Sequence, residues 1–180
     1  MTRDDSCALT ARLRIEPLGA HHAALLFDAL ADASIYTYIP DERHPSVDSL
    51  ARRYAFLECG APEGALEVWL NWALRRADTG AYIGTLQATV MLDSRAFIGY
   101  VLTPAAWDQG FATEACRWMV EELRSRFAVD EILAAVDTRN LRSQRLLEHL
   151  GFARIGTTPA EIRGEATSDF RYRLGRDPAA

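Results

Sequence analysis

The stretch that decides the fold is Phe97-Ile-Gly-Tyr-Val-Leu-Thr-Pro-Ala-Ala-Trp-Asp-Gln-Gly-Phe-Ala-Thr-Glu-Ala115. It predicts an apolar strand, a short loop and then a helix that begins just after Gly110. A helix start exposes unpaired N–H groups and the positive end of the helix dipole, so it is suited to bind an anion. Glycine lets the main chain approach a phosphate because no Cβ stands in the way. The stretch therefore predicts a phosphate site, with an ordinary turn glycine as the alternative for Gly110.

A second stretch follows one predicted strand later and reads Asn140-Leu-Arg-Ser-Gln-Arg-Leu-Leu-Glu-His-Leu-Gly-Phe152. It predicts a helix over Asn140–Leu150 that ends with Gly151 in the C′ position. Asn140 is a favourable N-cap residue, and this role is compatible with a cofactor contact. Ser143 lies in the first turn of the helix, where it is either a chemical group of a site or a helix residue without chemistry.

Hydrophobic periodicity and turn residues predict the remaining elements. Two helices, Ala20–Ala33 and Ser46–Cys59, follow the first strand, with a loop over Tyr36–Pro45 between them. The clearest helix, Phe111–Phe127, has its apolar residues on one face. The predicted strands are Ala11–Leu18, Leu66–Arg75, Ala81–Leu92, Arg95–Leu102, Glu131–Val136, Phe152–Thr157 and Phe170–Leu174.

The resulting order, β-α-α-β-β-β-α-β-α-β-β, indicates the α+β class, because antiparallel strands come first and crossover helices come later. Turn residues at Asp78–Gly80 and Asp93–Ser94 make the three central strands an antiparallel meander. We expect a mixed sheet of about seven strands. No repeat, low-complexity tract or linker interrupts the pattern, so residues 1–180 are expected to form one domain, with a core over about 11–174.

Composition and charge narrow the class of protein. The chain is 49% hydrophobic and 25% charged, as is typical of globular domains. Its net charge of -5 favours neither nucleic acid nor a membrane surface as a partner. No apolar run is long enough to span a membrane, and acidic residues near Met1 do not fit a signal peptide. Three cysteines without a C-x-x-C pair indicate reduced thiols, so we expect a cytoplasmic protein.

Several motifs of other enzyme classes are absent from the sequence. It has no G-x-G-x-x-G, no phosphate-binding G-x-x-x-x-G-K-[ST], and no G-x-S-x-G hydrolase elbow. The four histidines form no H-E-x-x-H and no Cys/His pairing, so no metal site is expected. His21 and His22, at the start of a predicted helix, are expected to be solvated. The reaction types that these absences leave open need neither a metal nor a covalent enzyme nucleophile.

Together and in this order, the two stretches resemble the acetyl-coenzyme A site of the GNAT superfamily of N-acetyltransferases. The family's loop is commonly written [QR]-x-x-G-x-[GA], and alignment on Gly110 and Ala112 puts Trp107 where Gln or Arg is usual. The forms W-x-x-G-[FY]-A-T-E-A and N-x-x-S-x-x-L-L-E-x-L-G-F are those of the branch that contains the ribosomal-protein N-terminal acetyltransferases. Leu13–Leu18 and Ile83–Thr85 also resemble that branch, so the likeness spans about residues 11–174.

The resemblance implies a GNAT-like fold with acetyl-coenzyme A as cofactor. Its pantetheine arm would pair with the fourth predicted strand, which splays in a V from the fifth, Glu131–Val136, to leave that edge free. Its diphosphate would lie on the N–H groups of Gln109 to Thr113. The implied cofactor-binding residues are Ile98, Tyr100, Val101, Leu102, Gln109, Gly110, Phe111, Ala112, Thr113, Asn140 and Ser143.

Acetyl transfer to an amine needs a neutral amine, a donor to the developing oxyanion and a proton for the departing thiolate. The resemblance implies a backbone N–H near Val101 as the oxyanion donor. Many members carry a tyrosine acid where this chain has Leu147, so Ser143 is the nearest polar replacement. Relatives often carry a carboxylate where this chain has Phe97, which leaves Glu67 and Asp93 as candidate bases.

The acceptor remains open at this stage, and Trp69 and Trp72 are core residues or line its pocket. Near pH 7.4 a lysine-type amine is neutral in roughly one molecule in a thousand, whereas an α-amine is neutral in roughly a quarter. A site without an evident base therefore favours an α-amine, most simply that of a ribosomal protein. The alternatives are a small amine (an amino-acid derivative, polyamine or antibiotic) and a catalytically silent acyl-CoA-binding module. Monomer and homodimer are both compatible with the sequence.

Overall fold

An eight-stranded mixed sheet forms the centre of the computed structural model, which describes residues 7–176. The strands are β1 (Ala8–Leu9), β2 (Leu13–Pro17), β3 (Glu67–Arg76), β4 (Tyr82–Met91), β5 (Arg95–Leu102), β6 (Glu131–Asp137), β7 (Ala153–Ile162) and β8 (Glu165–Leu174). The helices are α1 (His22–Leu26), α2 (Val47–Glu58), α3 (Phe111–Phe127) and α4 (Leu141–His149), with 3-10 turns at Ala33–Tyr38 and Pro104–Ala106. The predicted α+β class is confirmed.

The spatial order of the strands is β1-β2-β3-β4-β5-β6-β8-β7, and every neighbouring pair is antiparallel except β5 and β6. Within residues 7–176, β5 and β6 pair only from Arg95 to Phe97, opposite Glu131 to Leu133. Beyond Phe97 the two strands diverge while β5 remains paired with β4 up to Leu102. The predicted V-shaped splay between these strands is therefore confirmed.

The two faces of the sheet bury separate clusters. Helices α3 and α4 cover one face through residues such as Met119, Leu123 and Leu147, which are fully buried. Helices α1 and α2 cover part of the other face through Leu26, Leu50 and Tyr54. Side chains of a strand alternate between faces, so successive residues of β5 meet different surroundings. Tyr100 packs against the α3 side, whereas Val101 packs against the α1 and α2 side.

The structure differs from the predicted elements near the N-terminus. Strand β1 raises the strand count from about seven to eight; its two residues are too few to show an alternating pattern. The predicted helix Ala20–Ala33 is helical only over His22–Leu26. Asp32 accepts hydrogen bonds from the N–H and hydroxyl of Ser34, and this cap starts the 3-10 turn Ala33–Tyr38, which begins at the end of the predicted helix and runs into the predicted loop.

The last two strands are longer than predicted and form a hairpin. Its turn is Arg163-Gly164, with φ angles of 51° and 81°, so the usual Asn-Gly or Asp-Gly signal is missing. Pro159 lies within β7, where it is tolerated because β7 is the outer strand of the sheet. The guanidinium of Arg163 donates to the carbonyl oxygen of Tyr36 over 2.7 Å, which ties the hairpin to the 3-10 turn.

His22 is buried, so the expectation that it is solvated is wrong. Only 1% of the residue is exposed. Its Nδ1 accepts from the N–H of Gly19 at 3.1 Å, and its Nε2 lies 3.2 Å from a carboxylate oxygen of Glu16. Burial lowers the pKa of His22, which keeps the ring neutral and suited to this pair of contacts.

Gly84 brings β4 close to the end of β5. A Cβ at this position would overlap the carbonyl oxygen of Val101, and φ at Gly84 is 156°. The Thr103 N–H also donates to the carbonyl oxygen of Ile83 at 2.9 Å, so β4 holds the strand that borders the splay. The Ile83-Gly84-Thr85 motif is thus explained by close packing of two main chains.

We expect Gly84→Ala to lower the free energy of unfolding by roughly 2 kcal/mol or more. The added methyl group would overlap the carbonyl oxygen of Val101, which the pairing of β5 with β4 holds in place. Gly156→Ala is the matched control, since a Cβ at Gly156 of β7 meets open space. Urea unfolding of both variants measures the difference. Equal stability of the two variants would contradict the packing argument.

Candidate active site

The splay between β5 and β6 opens into a cleft of about 1280 Å³. One half is bordered by β5, the start of α3 and the start of α4, and we call it the cofactor half. The other half lies under the 3-10 turn Ala33–Tyr38 and α2, and we call it the acceptor half. Nine of the predicted cofactor-binding residues line the cleft: Ile98, Tyr100, Val101, Leu102, Gly110, Ala112, Thr113, Asn140 and Ser143.

The side chains of the other two predicted residues, Gln109 and Phe111, are directed elsewhere. Gln109 donates from its amide to the carbonyl oxygen of Ala105 at 2.5 Å, which braces the loop before α3. Phe111 is buried, and the guanidinium of Arg12 lies 4.5 Å from its ring centre. The prediction for these two residues concerned their backbone N–H groups, and it remains a prediction.

Gly110 is the N-cap of α3 and adopts a left-handed conformation, with φ of 79° and ψ of 0°. It is exposed at the cleft, and no side chain among the described residues caps the start of this helix. Glu114 in the first turn is held away from the loop by Thr10 and Arg12, which donate to its carboxylate over 2.6 to 2.7 Å. The first N–H groups of α3 therefore remain available to an anion.

Trp107, at the position where Gln or Arg is usual, anchors the loop before α3. Its indole N–H donates to the carbonyl oxygen of Leu102 at 2.8 Å, which fixes the loop to the end of β5. The guanidinium of Arg142 lies 4.2 Å from the Trp107 ring centre and pairs with Asp108 at 3.1 Å. Arg142, which sequence reasoning missed, therefore joins α4 to the loop at the cofactor half.

The open edge of β5 presents the main-chain groups of alternate residues. Thr103 bonds to Ile83, and the carbonyl oxygen of Val101 lies against Gly84, so Val101 directs its main-chain groups towards β4. By the same alternation, Tyr100 and Leu102 direct theirs towards the splay. The register thus places Tyr100 at the open edge, one residue before the predicted oxyanion donor Val101.

Tyr100 and Ser143 form a hydroxyl pair beside this edge. The Tyr100 hydroxyl lies 2.5 Å from Oγ of Ser143, and either group can be the donor. Burial raises the pKa of Tyr100 well above its ordinary value, so its hydroxyl stays protonated at neutral pH. Asn140 caps α4 by accepting from the Ser143 N–H at 3.2 Å, which leaves the Ser143 side chain free of capping.

Leu147, at the position of the tyrosine acid in many relatives, is fully buried in the core. The chain nevertheless places a tyrosine hydroxyl next to α4, because Tyr100 reaches it from β5. Sequence reasoning assigned Tyr100 only to cofactor binding. The contact joins residues 43 positions apart, so local spacing does not reveal it.

The acceptor half has aromatic walls and a polar floor. Tyr36, Tyr38 and Tyr54 line it from the 3-10 turn and from α2. The floor is formed by side chains of the sheet on the same face as Val101: Asn71, Thr85, Gln87 and Phe97. Asn71 and Gln87 were not singled out from the sequence, because they belong to none of its motifs.

Asp137 is the buried carboxylate of the cleft, and it is already paired. Its oxygens accept from the backbone N–H and guanidinium of Arg139 over 2.7 to 2.9 Å, and from the Thr167 hydroxyl at 2.9 Å. Hydrogen bonding to Arg139 lowers the pKa of Asp137 to about 2. Such a carboxylate is a poor base near neutral pH.

The structure does not bring the predicted bases into the cleft. Glu67 accepts from the indole N–H of Trp69 at 2.6 Å, and Asp93 pairs with Arg95 at 2.5 Å in an exposed turn. Trp69 packs against Phe56, and Trp72 packs in the core against Trp118. Neither tryptophan lines the cleft.

Other site types find no support among residues 7–176. No group of three His, Cys, Asp or Glu side chains in this range is placed to hold a metal ion. No helix there is both long and apolar enough to cross a membrane. The three cysteines Cys7, Cys59 and Cys116 are free thiols.

The sequence matches a known family over most of its length. A family model described as an acetyltransferase (GNAT) domain matches residues 12–153, and the chain belongs to this family. A curated relative from Bacillus subtilis, the uncharacterized N-acetyltransferase YoaA, is 28% identical over 149 residues, which are 82% of each chain. The chain is therefore an acetyl-CoA-dependent N-acetyltransferase, as predicted.

Solved structures share the fold at low sequence identity. A ribosomal-protein-S5-alanine acetyltransferase from Vibrio fischeri superposes with a TM-score of 0.82 at 16% identity, covering 97% of this chain and 98% of that one. A spermidine N-acetyltransferase from Vibrio cholerae, in complex with CoA and spermine, gives 0.77 at 17% identity, with 93% and 97% covered. The fold therefore occurs with both classes of acceptor.

We expect Gly110→Asp to weaken coenzyme A binding more than tenfold, or about 1.4 kcal/mol, because a carboxylate at the start of α3 repels the diphosphate. Gly110→Asn is the matched control, since it adds the same Cβ and a similar volume without the charge. Both side chains tolerate a left-handed backbone, so the fold should persist. Calorimetric titration measures the affinity, and an unchanged value in a folded Gly110→Asp variant would refute the phosphate site.

Proposed function

We propose that this enzyme acetylates the α-amine of a protein N-terminus, most simply that of a ribosomal protein. The observation that carries the proposal is that the acceptor half holds no unpaired buried carboxylate among the described residues. Asp137 is held by Arg139, while Asp41 and Glu42 are exposed at the rim. A site without a strong base suits an amine that is already partly neutral at physiological pH.

A polyamine is a less suitable acceptor on charge grounds. The described residues that line the cleft include four carboxylates and four guanidinium groups: Asp41, Glu42, Asp108, Asp137, Arg43, Arg53, Arg142 and Arg145. A cation with several charges is attracted by an excess of negative charge, and this lining has none. The cytoplasm, where ribosomal proteins are made, is the compartment that this function implies.

The mechanism that we propose begins with attack of the neutral amine on the thioester carbon. The N–H of Tyr100, at the open edge of β5, stabilises the negative charge that develops on the carbonyl oxygen. As the carbon–sulfur bond breaks, the Ser143 hydroxyl passes its proton to the departing thiolate and takes the proton of the Tyr100 hydroxyl, and Tyr100 then regains a proton from solvent. The proton lost by the amine passes to solvent.

We expect Ser143→Ala to lower kcat by roughly tenfold or more with little change in coenzyme A affinity, because a proton donor matters only as the bond breaks. Tyr100→Phe keeps the ring and should lower kcat by a smaller factor. Tyr172→Phe is the matched control, since the Tyr172 hydroxyl also bonds to α4, at Glu148, but outside the cleft. If kcat of Ser143→Ala stays within twofold at saturating acceptor, the serine has no chemical role.

Peptides with a free α-amine should be acetylated in preference to the same peptides with a blocked terminus and one internal lysine. The pH profile of kcat/KM should rise with an apparent pKa of about 7.7–8.0, because the substrate amine is the titrating group. The raised pKa of Tyr100 keeps its proton in place over this range, so no falling limb is expected up to about pH 9. Mass spectrometry locates the acetyl group, and predominant lysine acetylation would refute the α-amine preference.

A further inference from the structure

Two amide side chains on the floor of the acceptor half, Asn71 and Gln87, have no part in the mechanism above. They stand directly opposite each other on β3 and β4, and Gln87 stands opposite Gly99 on β5. The three residues form a row across the sheet that ends at the strand bordering the cofactor half. Since neighbouring strands lie about 4.8 Å apart, Gln87 is one strand spacing from the reacting centre proposed at β5.

Asn71 is a buried residue whose side-chain amide forms no hydrogen bond among the described residues. It is 7% exposed and lines the cleft, and its side chain forms no hydrogen bond with another residue between Cys7 and Arg176. Its amide atoms are not fully buried and remain accessible from the cleft. The amide is therefore available to bind a molecule that enters the cleft.

Gln87 lies over the main chain of β5. A Cβ at Gly99 would lie 2.6 Å from its Nε2 and 3.0 Å from its Cγ, so only glycine at position 99 permits this placement. Its amide also forms no hydrogen bond within the part of the chain that the structure describes. The row therefore offers two unpaired amides to whatever binds beside β5.

We propose that Asn71 and Gln87 form a subsite that binds the acceptor next to its reacting amine. The inference rests on the proposed function and names the group recognised: an amine with an amide next to it, as in the first residue of a peptide. An amide side chain offers both an acceptor oxygen and donor N–H groups. Two such side chains match a peptide N-terminus, which carries N–H donors and a carbonyl acceptor close together.

Neutral amides also suit the chemistry better than carboxylates would. A carboxylate beside the acceptor would stabilise its ammonium form, raise the pKa of the amine and withhold the lone pair needed for attack. An amide oxygen accepts a hydrogen bond from the amine without a full opposing charge. The subsite thus orients the amine and leaves its pKa near the ordinary value of an α-amine.

Asn71→Leu and Gln87→Met remove the amides at similar volume and test the subsite. We expect each to raise KM for a peptide with a free α-amine at least tenfold, with the Kd of coenzyme A within twofold by calorimetry. Thr89→Val is the matched control, because Thr89 lies on the same strand and face as Gln87 but outside the cleft lining. Its KM should stay within twofold.

Thermal unfolding supplies a readout that does not depend on turnover. Asn71→Leu should leave the unfolding midpoint unchanged or raise it, because no side-chain hydrogen bond among the described residues is lost and leucine is of similar size. If the Asn71 amide instead stabilised the fold, Asn71→Leu would lower the unfolding midpoint. A lowered midpoint for Asn71→Leu, or KM within twofold in both amide variants, overturns the proposal.

Failure of the proposed function would be recognised separately. If the wild-type enzyme acetylates spermidine in preference to every peptide tested, the protein N-terminus is the wrong acceptor. The subsite is then judged on the KM for spermidine in the same variants. A tenfold rise shows that the two amides bind the acceptor amine but overturns recognition of a neighbouring amide group, and an unchanged KM overturns the subsite itself.

Discussion

Between Ile98 and Leu102, one edge of β5 carries main-chain N–H and C=O groups that no strand of the described chain pairs. An unpaired strand edge lowers the stability of the fold when it is buried, and it tends to pair with other strands when it is exposed. In this enzyme the edge borders a cleft of about 1280 Å³, which an extended amide-containing cofactor arm can fill as an added strand. Tyr100, Gly110 and Ser143 all line the cleft at this opening.

The surrounding contacts keep β5 in place while its partner diverges. Gly84 lets β4 pack closely against Val101, and Trp107 anchors the loop to Leu102. Arg142 then ties the start of α4 to the same loop. These contacts come from four different elements, so the strand edge, the start of α3 and Ser143 keep a fixed relation to one another.

The alternation of β5 separates the two partners of the reaction. Tyr100 points to the α3 side and meets Ser143, whereas Gly99 and Val101 face the acceptor half. In the proposed mechanism, the acid and the acceptor therefore approach the same main chain from opposite faces of the sheet. The chain has leucine, Leu147, at the usual position of the tyrosine acid. It still presents a hydroxyl pair beside α4, because Tyr100 reaches Ser143 from β5.

The sequence by itself determined the class of fold, the start of α3 at Gly110, the cap at Asn140 and the family, because these depend on local periodicity, capping and turn residues. It placed the central strands within one or two residues, but missed β1 and the Arg163-Gly164 hairpin, whose signals are short or unusual. Only the tertiary structure decided that Tyr100 meets Ser143, that Asp137 is paired, and that Asn71 faces Gln87 on the cleft floor. Such relations depend on strand register and on contacts between distant residues, which local patterns do not encode.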